Sequence, residues 1–324
     1  MRVVESLISA AGYVRRRRKL KIALQLLVVL VTIAFCAAAV KGEWHKAASR
    51  LENADITNLL IALVAIAVYY LVFIFGWIRM LEAWGIRIGY RNALQAEMVS
   101  MLAKYVPGGV WTPAARTVAL RRTAGVTNTP LVLASILVEA ALSAISGVIV
   151  LVISLAWVRG VEAPLGLLIA FALLCAFALH PVSFKWIARK LLRPFGGADL
   201  EPLPFPVMLT LLAFYCLTWV IGGLGLYFLL RSVGVDPGLS TVPFLGGTSA
   251  VGAIVAVLAV FVPSGLGARE ASMYGMLLAL TTSGPALGAV VLNRFAITIV
   301  EVALFGAGVA RWRTSRAPVP SSDG

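Results

Sequence analysis

Four carboxylates, Glu97, Glu139, Glu270 and Glu301, stand in stretches otherwise built of apolar residues, and Lys104, Arg116, Arg269 and Arg294 occur in or beside the same stretches. A carboxylate at the centre of a bilayer costs about 2.5 to 3.5 kcal/mol on insertion scales, so each one needs a cavity or a partner and marks a functional site by default. Spacing adds to this. Ser135, Glu139, Ser143 and Ser146 recur at i, i+4, i+8 and i+11, and Arg294, Thr298 and Glu301 at i, i+4 and i+7, which draws one polar stripe on each of two helices. One reading is structural: Glu301 pairs with Arg294, and Glu139 with Arg116 or Arg269, to neutralise buried charge. The other is recognition. Arg116 and Arg269 lie just past helix-breaking residues, where free N–H groups and the positive end of a helix dipole favour an anion, so a phosphate fits there with guanidinium support. Lys104 and Asn293 are further candidate donors, and Glu139 and Glu301 suit a cationic group or a proton.

Other chemistries lack material. The chain has two histidines, His45 and His180, and three cysteines, Cys36, Cys175 and Cys216, at spacings that fit neither a metal site nor a disulfide framework. It has no glycine-rich loop ending in Lys-Ser or Lys-Thr for nucleotide phosphates. It also lacks a nucleophile and base at helical spacing for an intramembrane enzyme. No cofactor, no metal and no catalytic residue is expected.

The elements that position these groups follow from hydropathy. Of 324 residues 60% are hydrophobic and 13% charged, and the mean hydropathy is +0.95, which excludes an ordinary soluble domain. The net charge of +14 would suggest nucleic acid in a polar chain; here it reads as loop charge on the cytoplasmic side, facing anionic lipids. The expectation is an all-α polytopic membrane protein. A basic segment, 1–21, precedes a first span at Ile22 to Val40, followed by spans at Thr57 to Ile78, Thr129 to Trp157, Pro164 to Ser183, Pro206 to Leu230 and Pro285 to Ala310. The membrane domain is taken as 22–312, with a disordered tail, 313–324. Both termini are then cytoplasmic, with 21 of the 28 Lys and Arg on that side.

Two further stretches break. The run from Asn92 to Val106 ends at Pro107, Gly108 and Gly109, after which Thr112-Pro113 starts a short helix; the run from Gly238 to Val262 ends at Pro263, Ser264 and Gly265, with Gly267 close behind. Each is expected to be a re-entrant hairpin, giving about six full spans plus two hairpins; full crossing of either would raise the count without moving any loop. The breaks also repeat. Val106-Pro107-Gly108-Gly109-Val110 matches Val262-Pro263-Ser264-Gly265-Leu266, and Val138-Glu139-Ala140-Ala141-Leu142 matches Val300-Glu301-Val302-Ala303-Leu304. The halves, about 57–157 and 206–310, would run in opposite directions through the membrane, an inverted repeat of the kind carriers use. Recurrent Gly/Pro breaks without such a relation are the plainer alternative.

The segment Lys104-Tyr105-Val106-Pro107-Gly108-Gly109-Val110-Trp111, a glutamate-bearing helix about 30 residues on, and Val262-Pro263-Ser264-Gly265-Leu266-Gly267-Ala268-Arg269-Glu270 resemble the transmembrane, flippase-type domain of lysylphosphatidylglycerol synthases. The resemblance runs from about residue 20 to 312. It implies translocation of a phospholipid or lipid-linked headgroup, aminoacylated phosphatidylglycerol among them, across a bacterial inner membrane. The soluble synthase domain of full-length members is not in this sequence, so the resemblance implies no synthase activity. A different expectation is a non-catalytic membrane subunit that scaffolds a glycosyltransferase or lipid-modifying enzyme of envelope synthesis.

Overall fold

The computed structural model describes residues 51–105, 111–158, 160–161, 165–191, 200–259 and 265–314. The basic segment 1–21, the span at 22–40 and the break residues Pro107, Gly108, Gly109, Pro263 and Ser264 lie outside them, as does the tail beyond Thr314.

Among the described residues the regular structure is helical throughout. Helix α1 (Ile56–Ala83) has 28 residues, about 42 Å at 1.5 Å per residue and ample for a 30 Å core. Asp55 caps it, its carboxylate accepting from the Thr57 N–H at 2.8 Å. Next come α2 (Tyr90–Ser100), prolonged by a 3-10 turn (Met101–Tyr105), and α3 (Trp111–Ala124). Helix α4 (Thr129–Ser154) starts on an Asn128 cap with Pro130 in its first turn. Then follow α5 (Leu165–Leu179), α6 (Pro181–Leu191), α7 (Phe205–Ser232), α8 (Val242–Leu258), α9 (Ala268–Leu277) and α10 (Ser283–Thr314).

Among the described residues five helical stretches are long and apolar enough to cross a membrane: α1, α4, α7, residues 239–258 and α10; α5 and α6, bent by 79° at their junction, would make a sixth only if the pair were one span. Four of the expected spans recur close to their limits, and four details change. The expected span from Pro164 to Ser183 stops at Leu179, because Pro181 cannot donate back into the helix and the chain turns at His180. The first arm of the second hairpin, 20 residues with its 3-10 turn, is as long as a full span. The helix after the first break begins at Trp111, so Thr112 lies inside its first turn instead of capping it, and α10 continues to Thr314, past the start of the expected tail.

Helices α1 and α7 form the most extensive pair, and α8 packs against both α7 and α4. Glycines permit the close approach of α7 and α8: a Cβ on Gly223 would lie 2.2 Å from the Val242 carbonyl oxygen, and one on Gly246 2.3 Å from that of Trp219. The packing between halves is reciprocal. Helix α4 lies on α8 while α10 lies on α2, α4 touches α7 while α10 touches α1, and each broken pair, α2 with α3 and α8 with α9, packs on itself.

A closed arginine triad and an open cation cluster

In the first half the break returns the chain through α3, which carries Arg116 inward. Its guanidinium forms ion pairs with Glu97 on α2 and Glu139 on α4 and lies 4.0 Å from the centre of the Trp77 ring of α1, a cation–π contact. Tyr215 of α7 donates to Glu139 at 3.4 Å, and Arg116 is 3% exposed. Two carboxylates thus face one guanidinium inside the bundle. Around them the polar stripe of α4 stitches helices together: Trp77 donates to Ser135 Oγ at 2.8 Å, Trp219 to the Ser143 carbonyl at 2.7 Å, and Ser146 to the Leu212 carbonyl at 2.9 Å.

The second half is arranged differently. Glu301, fully buried on α10, receives Lys104 Nζ from the 3-10 turn after α2 and the Tyr70 hydroxyl from α1. Lys104 itself is about a third exposed, at 32%. Arg294, one helical face below Glu301, pairs with Glu270 at 3.4 Å. Glu270 has a second duty at the start of α9, where it accepts from the Gly267 N–H at 2.6 Å and so closes the first turn of that helix. Asn293 is buried and directs Nδ2 at Met273 Sδ, 3.7 Å away.

Arg269 occupies the first turn of α9, half-buried. Among the described residues its guanidinium makes no hydrogen bond and no salt bridge. It lies within electrostatic reach of Tyr69, Tyr70 and Lys104, and Tyr69 also feels Glu97, Glu139 and Glu301, which puts α1 between the two centres. Two glycines bring Arg269 there. Gly265, at φ +63°, would place a Cβ 2.4 Å from Ala256 of α8, and a Cβ on Gly252 would meet Met273 Cγ at 2.8 Å and Arg269 Cγ at 3.1 Å.

Of the residues expected from sequence, Arg116 and Glu139 come together with Glu97; Lys104 meets Glu301; and Arg294 meets Glu270. Glu139 takes Arg116 and not Arg269. Among the described residues no group of three His, Cys, Asp or Glu is arranged for a metal ion. Tyr70, Trp77 and Tyr215 complete the sites without having been singled out beforehand. Their only signal was a hydroxyl or indole N–H within an apolar run, and buried Tyr and Trp usually find a partner for it.

No curated protein matches the chain. The family model described as the lysylphosphatidylglycerol synthase TM region matches residues 22–305, and these include every residue named in both centres. The chain is a multi-pass membrane protein of the lysylphosphatidylglycerol synthase transmembrane-region family.

Proposed function

We propose that the chain is a lipid translocase of a bacterial inner membrane, binding the headgroup of a phospholipid or lipid-linked substrate, such as aminoacylated phosphatidylglycerol, at the second-half cluster. The observation that carries this is Arg269, a half-buried cation with no partner among the described residues. Among the described residues, Lys104, Arg269 and Arg294 stand with Glu270 and Glu301, three cations beside two carboxylates, a set that suits one phosphodiester. In this reading Arg269 takes the phosphate, Lys104 and Arg294 flank it, Asn293 lies behind Met273 as a packing residue, and Glu301, fully buried, holds Lys104 in place. Arg116 and Glu139 hold the bundle together. The acyl chains stay in lipid, and the chain's residues bind and release without covalent chemistry.

Alternating exposure of the cluster follows from an inverted repeat, which the reciprocal packing of α4 on α8 and α10 on α2 supports. The basic loops support an orientation with both termini in the cytoplasm. The test is a leaflet-resolved fluorescent-lipid assay in proteoliposomes. Arg269→Ala is expected to abolish translocation while leaving the thermal transition in detergent in place. Translocation at the wild-type rate by both Arg269→Ala and Glu301→Ala would overturn the assignment.

A further inference from the structure

Helix α6 is unlike its neighbours. It leaves α5 at 79°, and α5 exposes Leu173, Leu174 and Phe177 up to three residues before the bend. Side chains of that kind belong in hydrocarbon, so α6 begins where hydrocarbon ends. Its inner face, Phe184 and Ala188, is 8% and 2% exposed, and Phe184 stacks on Trp84 at the end of α1 with ring centres 6.4 Å apart. The bend is therefore fixed by packing.

The outer face repeats at i, i+4 and i+8: Val182 and Trp186, 73% and 63% exposed, run beside Lys185, Arg189 and Lys190, all exposed. Lys190 Nζ lies 5.0 Å from the centre of the Trp186 ring. Lys185 is engaged by Glu201 at 2.7 Å, which leaves Arg189 and Lys190 as the outward charges. A tryptophan with a polar edge and two cations, on a helix turned away from the apolar helix before it, matches the headgroup layer, where indoles settle and phosphates are dense. Neither solvent nor an apolar partner surface suits that combination. We infer that the outer face of α6 is a binding site for resident anionic phospholipid, with Arg189 and Lys190 on the phosphate and Trp186 against the glycerol backbone. This lipid is separate from any translocated cargo.

The test uses the full chain in nanodiscs of equimolar phosphatidylcholine and phosphatidylglycerol, with bromine on the acyl chains of one lipid at a time. Trp186 emission, taken as wild type minus Trp186→Phe, is expected to be quenched more by brominated phosphatidylglycerol than by brominated phosphatidylcholine. That preference should fall ~5-fold on Arg189→Gln and again on adding Lys190→Gln, since each cation near the surface contributes to that degree. Arg189→Lys should retain most of it, and Arg91→Gln, an exposed cation at the start of α2, should leave it unchanged. Equal quenching by the two lipids, equal loss in Arg91→Gln, or quenching of Trp186 by aqueous iodide and not by bromolipid would each overturn the inference. None of these outcomes bears on translocation.

Discussion

In the first half Arg116 meets Glu97 and Glu139 and lies 4.0 Å from the centre of the Trp77 ring, 3% exposed; in the second half Arg269, which follows the matching break, meets no carboxylate among the described residues. The carboxylate that matches Glu139 by sequence, Glu301, is held instead by Lys104 and Tyr70 from the first half. A repeat that began with two equivalent arginine–glutamate pairs would be symmetric and closed on both sides. Here both buried carboxylates are paired, Glu139 with Arg116 and Glu301 with Lys104, and among the described residues Arg269 makes no ion pair. The contrast is in pairing: Arg116 is held by two carboxylates, whereas among the described residues Arg269 is held by none.

The comparison breaks first at Arg116. Arg116→Met removes the one cation between buried Glu139 and partly buried Glu97, and breaking a buried pair from one side costs about 3 to 5 kcal/mol. Arg269→Met removes no pair and is expected to stay within ~0.5 kcal/mol of wild type. Reversible unfolding in mixed micelles measures both. Equal destabilisation by the two substitutions would show that the halves do not differ as described.

Hydropathy revealed α1, α4, α7 and α10 because each is a single apolar run with polar ends. It overran α5, since the apolar run before His180 and Pro181 keeps the hydropathy average high past them, and only the geometry of proline stops the helix at Leu179. The second hairpin's first arm was expected to re-enter, although residues 239–258 are long enough to cross. The Pro/Gly break after that arm was legible; the depth it reaches was not. Within the site, charges stood out against their apolar surroundings, but their pairing did not. Lys104 and Glu301 are 197 positions apart, and nothing local distinguishes that partnership from the nearer one with Arg294. The aromatic partners were hidden for a different reason: Tyr70, Trp77 and Tyr215 look like any large residue of a membrane helix until a neighbour is seen.

A subtler change leaves Arg269 intact and moves the backbone that presents it. Gly265→Ala puts a side chain at φ +63° and a Cβ 2.4 Å from Ala256. Strain of this type costs about 1 to 3 kcal/mol, and α9 is expected to shift away from α8 to relieve it. Under the proposed function translocation should then fall as is expected of Arg269→Ala, with a smaller loss of stability than is expected of Arg116→Met. A Gly265→Ala protein that translocates normally would mean that the position of Arg269 is unimportant, and the open cluster would lose its role.

The smallest effect concerns how the two halves begin. Helix α1 starts on the Asp55 carboxylate, whereas its counterpart α7 starts at Pro204 with no side-chain cap. The Asp55 N–H also donates to the Ser232 carbonyl at 2.8 Å, which ties the start of α1 to the end of α7. The hydrogen bond from the Thr57 N–H holds the Asp55 carboxyl below its ordinary value of 3.8. A carboxyl whose folded pKa is depressed contributes stability above its unfolded value and loses it as pH falls through the folded one. Wild type should therefore exceed Asp55→Ala in stability near neutral pH, with the difference shrinking as pH drops below 3.8. Asp55→Asn, which still accepts from Thr57 and does not titrate, should keep its advantage over Asp55→Ala across the same range. Unfolding midpoints of the three proteins on a pH series measure this; a difference between wild type and Asp55→Ala that is flat with pH would mean that the cap acts without its charge, and that the two halves begin more alike than their first turns suggest.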